Sequence, residues 1–316
     1  MELPKFSFRK KPKIGGEIAK YHDYYGTHFT QRFAGLEQRI GWVDTNDFRI
    51  VLQTFVPSNV KATVFLFHGY FDHAGIYKHL IRFLIKSGFA VAIYDMPGHG
   101  LSSGTPAAIS SFQQYQDAMD ACLTVCKNYM VEPFHAIGQS TGAAVLIDRL
   151  MNSGVGRDAI DNTCPFDSDP FDKVVLLAPL VRPVGWQSIR RLHSLLKPFL
   201  KVWFRSFSQN SSDVRFVTFL KEHDPLQSKW LAVDWVGALK DWVPRIESGK
   251  KLQRKILVVQ GDADKTVDWE HNIKVLKRLF KELKIAHIEG ARHQLVNESQ
   301  GKRQAVFDAI VSELSG

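Results

Sequence analysis

Short apolar runs alternate with segments of helical periodicity through most of the chain. Of all the features of the sequence, this alternation restricts the possible folds most strongly. Apolar runs without polar alternation are typical of parallel strands buried on both faces. Helices between such strands cover the two faces of the sheet. The sequence therefore predicts an α/β fold. Its strand candidates are Thr63–Phe67, Ala90–Tyr94, Phe134–Ile137, Val174–Ala178, Ile256–Gln260 and Ile285–Ile288, and its helix candidates are Tyr77–Lys86, Phe112–Tyr129, Thr141–Met151, His271–Phe280 and Gln304–Leu314.

Several regions depart from the alternation and define the predicted domains. Glu37–Val43 and Arg49–Phe55 alternate in polarity and are expected to form an antiparallel hairpin at the sheet edge. Asn152–Asp172 is a long polar loop, and Leu180–Gly249 contains no strand candidate. We predict a basic N-terminal extension over 1–35, a core built from 36–179 and 251–316, and an inserted helical cap over 180–250. Such a cap would cover the carboxyl edge of the sheet, where ligands of open α/β sheets bind.

Ser140 lies in the pentapeptide Gly-Gln-Ser-Thr-Gly, between a predicted strand and a predicted helix. A serine is a weak nucleophile unless a strained, exposed turn holds it beside a base. Gly-x-Ser-x-Gly forms such a turn, because side chains at Gly138 and Gly142 would collide with the neighbouring strand and helix. The context predicts that Ser140 is a catalytic nucleophile.

A nucleophilic serine needs a base and an acid, and both are expected just past the ends of sheet strands. Asp262 and Asp264 follow one predicted strand, and His293 follows the last one. Asp264 is the preferred acid, because Asp262 directly follows a glycine and is better placed to bind the turn backbone. His293 is the preferred base, since its competitor His287 lies inside a strand. Both acids could instead be turn residues, and His293 a solvated loop histidine.

The oxyanion donors are predicted to be backbone N–H groups. One belongs to Thr141, at the N-terminus of the helix after the nucleophile. The other is the N–H of Tyr70, because Gly69 allows that loop to approach the serine. Four histidines in this part of the chain raise the question of a metal site, but their spacing matches no ligand pattern, so we expect no metal. They are His68, His73, His79 and His99.

Within the cap, apolar residues recur at helical spacing from Ile189 to Phe207, with basic residues on the other faces. Pro198 is expected to kink or split this helix. One interpretation is a cap helix packed on the core with a solvated basic face. The other is an interfacial element that touches anionic lipid and opens an acyl pocket. Trp203 and Trp235 would line that pocket or pack the cap itself.

The net charge of +9 is distributed unevenly. No Asp or Glu occurs from Lys173 to Ser212, a stretch with seven Lys and Arg residues. Such a field favours anionic partners, including phospholipid surfaces and acidic substrates. No nucleic-acid recognition motif accompanies the charge, so we expect no nucleic-acid partner.

The targeting features point to the compartment where the chain is made. No apolar stretch approaches the ~20 residues that span a bilayer, and no signal-peptide core follows the basic N-terminus. The three cysteines form an odd count without a pairing pattern, which fits a reducing interior. We expect a cytoplasmic location, either free or at the inner face of the membrane.

Together these motifs resemble the α/β-hydrolase superfamily, in its monoacylglycerol lipase and bacterial lysophospholipase branch of the serine aminopeptidase type. The resemblance runs from about Phe48 to the C-terminus. Its further motifs are His68-Gly69 with Asp72-His73, the Asp95–Ser102 loop and Asp224-Pro225-Leu226 in the cap. It implies an α/β-hydrolase fold with Ser140 as nucleophile, Asp264 as acid, His293 as base, and oxyanion donors Tyr70 and Thr141.

The chain departs from the family pattern around the nucleophile. Gln139 stands where family members often have His, and Thr141 stands where they often have Met or Gly. Tyr70, Phe71 and Asp72 replace a small residue, Gly and Glu in the first loop. We expect these changes to narrow the acyl side of the pocket or alter its polarity, so Phe71 and Gln139 are candidate pocket residues.

The expected activity is hydrolysis of a carboxylic ester through an acyl-enzyme, without a cofactor. The apolar, cationic cap favours a lipid monoester, either a lysophospholipid or a monoacylglycerol. Two alternatives stay open. One is another reaction on the same fold, by a small-ester esterase, an amidase or an aminopeptidase, although the cap residues 180–212 contain no acidic anchor for a substrate amine. The other is a catalytically silent binding scaffold.

Overall fold

The computed structural model of the protein describes residues 1–11, 13–153, 169–205 and 207–316. Strands among these residues are β1 Glu37–Asp44, β2 Arg49–Val56, β3 Ala62–Phe67, β4 Phe89–Tyr94, β5 Phe134–Gln139, β6 Val174–Leu177, β7 Val202–Phe204, β8 Trp230–Ala232, β9 Leu252–Gly261 and β10 Phe280–Ile288. One eight-stranded sheet has the order β1-β2-β4-β3-β5-β6-β9-β10. The pairs β1–β2 and β2–β4 are antiparallel, and the other neighbours are parallel. The predicted sheet and edge hairpin are confirmed.

Helices cover both faces of this sheet, which explains why its central strands are predominantly apolar. Val64 and Leu66 pack in one cluster with helices on one face of the sheet, and Phe65 and Phe67 pack in a second cluster with helices on the other face. Successive side chains of a strand point to opposite faces, so both sets of positions must be apolar. The first cluster involves α1 Gly16–Tyr25, α2 Lys78–Lys86 and α9 Gln300–Ser315, and the second involves α3 Gln113–Cys126, α4 Thr141–Ser153, α7 Val233–Glu247 and α8 Trp269–Leu279.

The last two strands of the large sheet begin earlier than their apolar runs. β9 starts at Leu252 and β10 at Phe280, where the sequence predicted starts at Ile256 and Ile285. The added residues are partly polar and exposed. This is expected at a sheet edge, where one face meets solvent and hydrophobicity no longer marks the strand.

The prediction of a cap without strands is wrong. Its helices are α5 Trp186–Leu196 and α6 Val214–Thr218, followed later by α7, but β7 and β8 form an antiparallel two-stranded ribbon. The predicted helix from Ile189 to Phe207 ends at Leu196. Pro198 cannot continue helical hydrogen bonding. The chain then reaches Val202–Phe204, a β-branched and aromatic run that favours a strand.

The N-terminal residues are joined to the core by backbone pairing and to the cap by side chains. Phe6 N–H donates to Trp42 O (2.8 Å), and Trp42 N–H donates to Pro4 O (2.9 Å), which places the chain along β1. Tyr25 of α1 donates to the cap residue Asp224 (2.7 Å). The segment predicted as an extension thus contacts both other parts of the protein, although its boundary at residue 35 stays a prediction.

The predicted polar loop and the three cysteines are only partly covered by the described residues. Most of the polar loop Asn152–Asp172 lies outside the described residues, as does Cys164. Cys122 and Cys126 are buried free thiols in α3. Their burial is typical of free cysteines, which pack in cores as small apolar residues.

Candidate active site

Ser140 occupies the sharp turn between β5 and α4. Its φ of 55° lies in the left-handed region, which non-glycine residues seldom adopt. A Cβ on Gly138 would lie 2.5 Å from Gly142 O, and a Cβ on Gly142 would lie 2.1 Å from Phe67 O. Only glycine fits at either position. The turn therefore brings β5, α4 and the end of β3 into direct contact around the serine.

A hydrogen-bonded chain joins Ser140 to His293 and Asp264. Ser140 Oγ lies 2.9 Å from His293 Nε2, and His293 Nδ1 lies 2.8 Å from Asp264 Oδ2. The carboxylate accepts from Nδ1–H, which leaves Nε2 as the acceptor for the serine hydroxyl. All three residues are buried. They follow the carboxyl ends of β5, β9 and β10, which lie on the same side of the parallel part of the sheet.

The surroundings of the pair favour an ionised carboxylate beside a basic imidazole. Burial raises the pKa of Asp264, but the charge and hydrogen bond of His293, with the N–H groups of Thr266 and Val267, lower it further than burial raises it. Burial lowers the pKa of His293, but the charge and hydrogen bond of Asp264, together with the charge of Asp72, raise it more, so the net shift is upward. The imidazole is therefore a stronger base than a solvated histidine.

The competing acid and base occupy other positions. Asp262 Oδ1 accepts the backbone N–H of Gly290 at 2.7 Å, in the turn after β10. His287 lies within β10, in register with Gln260 of β9. The structure thus brings Asp264, and neither of these residues, to His293.

The loop after β3 approaches Ser140 through Gly69. A Cβ on Gly69 would lie 3.4 Å from Ser140 Cβ and 2.8 Å from Asp72 Oδ2. Tyr70 follows directly, so its backbone lies close to the serine. Thr141 is the first residue of α4, and its N–H has no acceptor within the helix. Oxyanion binding by these two N–H groups stays a prediction.

A buried polar network supports this loop, and sequence reasoning missed its central residue, Gln294. Gln294 Nε2 donates to Asp72 Oδ1 (2.7 Å), and Gln294 Oε1 accepts from Gln139 Nε2 (2.8 Å). Asp72 Oδ2 in turn accepts from Gly69 N–H (3.2 Å) and Tyr77 OH (3.1 Å). Gln294, the residue after His293, is thereby tied to both the turn at Ser140 and the loop after β3. Its position beside His293 was the only signal in the sequence.

The other candidate pocket residues have different surroundings. Trp235 is buried and stacks on the ring of Tyr70, with ring centres 3.9 Å apart. The Tyr70 hydroxyl donates to Ala107 O at 2.7 Å. Phe71 has a φ of 69° in the same loop. Trp203 lies on the exposed β7–β8 ribbon, 42% accessible, and its role in a pocket stays a prediction.

The histidines near the site have structural partners. His68 Nε2 accepts from Met96 N–H (2.8 Å), and His99 Nδ1 lies 2.8 Å from Pro97 O. His73 Nε2 lies 2.9 Å from Asp224 Oδ2, with both side chains inaccessible to solvent. Among the described residues, no group of three or more His, Cys, Asp or Glu could hold a metal ion.

The His73–Asp224 pair also fastens the cap. Burial lowers the pKa of His73, but the hydrogen bond and charge of Asp224, together with the charges of Asp95 and Asp72, raise it more. Burial raises the pKa of Asp224, and His73 and Tyr25 lower it below its usual value. The pair is therefore a buried ion pair with a third partner from α1, and it joins the N-terminal helix, the first loop and the cap.

The raised pKa of His293 predicts the acidic side of the activity profile. Only neutral imidazole can accept the serine proton, so kcat/KM should rise with pH through a midpoint above about 6.5, the value of an unperturbed histidine. Asp264→Asn should move this midpoint to lower pH, because the charge that stabilises the imidazolium is gone. It should also lower kcat by about 10⁴-fold. A pH series on an uncharged ester measures both, and an unmoved midpoint would contradict the pairing.

Comparisons with known proteins agree with this architecture. The serine aminopeptidase S33 family profile (Hydrolase_4) matches residues 58–300. Phospholipase YtpA of Bacillus subtilis is 25% identical over 267 residues, which cover 81% of this chain and 96% of that protein. Human monoglyceride lipase is 28% identical over 265 residues, which cover 79% of this chain and 81% of that protein.

Solved structures give the same fold at lower identity. A soluble variant of monoglyceride lipase from Saccharomyces cerevisiae superposes with a TM-score of 0.72 at 14% identity, covering 87% of this chain and 94% of that one. Monoacylglycerol lipase of Paleococcus ferrophilus superposes with a TM-score of 0.68 at 20% identity, covering 84% of this chain and 99% of that one. Within the described residues, no helix has the length and apolar character needed to cross a bilayer. The chain belongs to the serine aminopeptidase S33 family of α/β-hydrolases, and it is a carboxylic ester hydrolase.

Proposed function

We propose that the protein hydrolyses lipid monoesters, either lysophospholipids or monoacylglycerols, by two-step acyl transfer. The observation that carries the mechanism is the continuous hydrogen-bonded chain from Ser140 Oγ through His293 to Asp264. The lipid assignment is supported by the cap, and by relatives named as a phospholipase and monoglyceride lipases.

In the first step, Ser140 Oγ attacks the ester carbonyl carbon while its proton moves to His293 Nε2. The carbonyl oxygen becomes an oxyanion, which the N–H groups of Tyr70 and Thr141 bind. The C–O bond to the leaving alcohol then breaks, and His293 Nε2–H protonates that alcohol. Asp264 remains ionised and stabilises the imidazolium.

In the second step, water attacks the acyl-Ser140 carbonyl and gives a proton to His293 Nε2. The second tetrahedral intermediate collapses, the carboxylic acid leaves, and the proton returns to Ser140 Oγ. His293 thus accepts and then donates the proton in both steps of the cycle.

A substrate panel tests the assignment. We expect wild-type protein to hydrolyse long-chain monoacylglycerols and lysophospholipids faster than short-chain monoesters with the same head groups, because a long acyl chain can bury apolar area. Amino-acid anilides, which report aminopeptidase activity, should not be cleaved. Ser140→Ala is the control for background hydrolysis. A preference for short acyl chains or anilides would overturn the lipid assignment.

The surface of the cap supports contact with an anionic membrane. Large hydrophobic side chains that are exposed among the described residues lie mostly in the cap: Val184, Leu192, Leu195, Phe199, Leu200, Val202, Trp203, Phe204, Val214 and Trp230. Arg190, Arg191 and Lys240 line a groove with Leu195 on this surface. Apolar side chains beside cations are suited to the headgroup region of a membrane. We propose that this face docks on the inner leaflet while substrate enters.

Removal of two apolar side chains tests the docking. Leu195 and Phe199 are 70% and 81% exposed, so replacing both with serine should leave the fold intact. Each would otherwise bury area worth about 1.5–3 kcal/mol in a bilayer. We expect Leu195→Ser/Phe199→Ser to weaken sedimentation with phosphatidylglycerol vesicles by at least about tenfold.

Val131→Ser is the matched control, because Val131 is exposed outside the cap. It should bind these vesicles as the wild type does. Equal binding by the double variant would show that the cap face does not dock.

A further inference from the structure

Arg205 directly follows the cap ribbon and lies over the first loop. Its guanidinium carbon is 3.9 Å from the centre of the Phe71 ring and 4.3 Å from that of Phe207. Nη1 donates to Gln227 Oε1 (2.7 Å) and to Ser228 O (3.3 Å). Two aromatic rings and two hydrogen bonds therefore hold the planar group in one place.

The charge of this guanidinium has no ion-pair partner among the residues that the structure describes. Asp72 and Asp224 act on it only through longer-range charge. Both are engaged elsewhere, Asp72 by Gln294 and Asp224 by His73. Burial lowers the pKa of Arg205 to about 10, and these carboxylates offset only part of that shift. A partly desolvated cation without a paired anion is favourably placed to bind one.

The position of Arg205 links it to the reacting ester. Phe71, on which it stacks, directly follows Tyr70, the proposed oxyanion donor. Gln227, which accepts from Arg205, also donates to Phe71 O at 2.8 Å. A substrate whose carbonyl oxygen reaches Tyr70 N–H therefore lies beside the loop that Arg205 covers. Groups a few bonds from the ester can approach the guanidinium.

Resting on the proposed function, we propose that Arg205 binds the phosphate of an anionic phosphoglycerol monoester while Ser140 attacks its acyl ester. Both hydrogen bonds that the guanidinium donates to described residues use Nη1. The edge formed by Nε and Nη2 is suited to a bidentate bond with two phosphate oxygens. Arg205 is thus a specificity residue that favours lysophospholipids with a phosphate headgroup over uncharged monoacylglycerols.

Chain-matched substrates test this assignment without a membrane. Octanoyl glycerol and octanoyl glycerol phosphate, both kept monomeric, differ only in the phosphate. We expect Arg205→Gln to lower the ratio of kcat/KM for the phosphate ester to that for the neutral ester by at least about tenfold, mainly through KM. Arg205→Lys, which keeps the charge but loses the bidentate geometry, should lower it less. Free glycerol phosphate should inhibit the wild type more strongly than Arg205→Gln.

Arg215→Gln is the matched control, since Arg215 is an exposed cap cation. It removes one positive charge and should keep the wild-type ratio. Each ratio compares two substrates of the same variant. A partly unfolded fraction lowers both kcat/KM values equally and leaves their ratio unchanged. If Arg205→Gln does not fold, Arg205→Lys provides the test. A wild-type ratio of the two kcat/KM values in Arg205→Lys would then overturn the proposal.

Other outcomes separate this proposal from the function on which it rests. Equal loss toward both esters in Arg205→Gln would mean that Arg205 only positions the loop, and would overturn the phosphate assignment alone. Wild-type protein that hydrolyses neither ester nor any longer monoester would overturn the proposed function, and this inference with it.

Discussion

Ester hydrolysis by the Ser140→Ala variant is expected to fall by about 10⁵- to 10⁶-fold, the loss typical when a serine triad acts as one unit. His293→Ala should cost nearly as much, because the hydroxyl then has no acceptor for its proton. The double variant should be no slower than either single variant by more than about tenfold. Initial rates on one neutral monoester measure all three proteins.

Fluorophosphonate labelling provides the control for this series. Wild-type protein should be labelled at Ser140, whereas Ser140→Ala should not. Ser188, an exposed serine of α5, is the matched site, and Ser188→Ala should label and hydrolyse as the wild type does. Labelling that persists in Ser140→Ala, or multiplicative losses in the double variant, would refute the assignment of the nucleophile and its base.

The second large effect is expected at Gly142, where the nucleophile turn meets β3. An added Cβ would lie 2.1 Å from Phe67 O and 2.7 Å from His68 O, both backbone atoms that cannot move aside cheaply. Gly142→Ala should lower the free energy of unfolding by about 3 kcal/mol. It should also abolish hydrolysis, because relief of the clash displaces Ser140. Urea unfolding and ester hydrolysis measure the two effects.

Gly301→Ala is the matched control, since no atom lies within 4 Å of a Cβ added at Gly301 in α9. Its free energy of unfolding should be unchanged or up to about 1 kcal/mol higher, as alanine favours helix. If Gly142→Ala unfolds at the wild-type urea concentration and hydrolyses at the wild-type rate, the close approach of α4 to β3 is wrong.

The fold was predictable because the central strands are marked by local patterns. Thr63–Phe67 and Phe134–Ile137 are apolar except at Thr63 and His135, and both form buried parallel strands as expected. The cap was less predictable. Its apolar spacing predicts helix through Phe207, kinked or split at Pro198, but the β-branched and aromatic run after the proline forms a strand of the ribbon. Periodicity alone does not separate a short strand from the end of a helix.

Candidate site residues were found where a strand end marked them. Ser140, Asp264 and His293 each follow a strand, and parallel strands bring such positions to one edge. Gln294 and Arg205 carried no comparable mark. Gln294 acts through Asp72, which is 222 residues away in sequence, and Tyr25 reaches Asp224 across 199 residues.

Sequence alone determined the α/β class, the succession of strand, turn and helix around Ser140, and the residue types expected at three strand ends. These are properties of neighbouring residues, which hydrophobic period and turn chemistry express directly. Only the tertiary structure decided that Asp264 rather than Asp262 meets His293, that Gln294 joins two loops, and that Arg205 stacks on Phe71. Such contacts depend on side chains brought within about 3–4 Å by distant segments, and hydrogen bonding at that range requires geometry that no local pattern specifies.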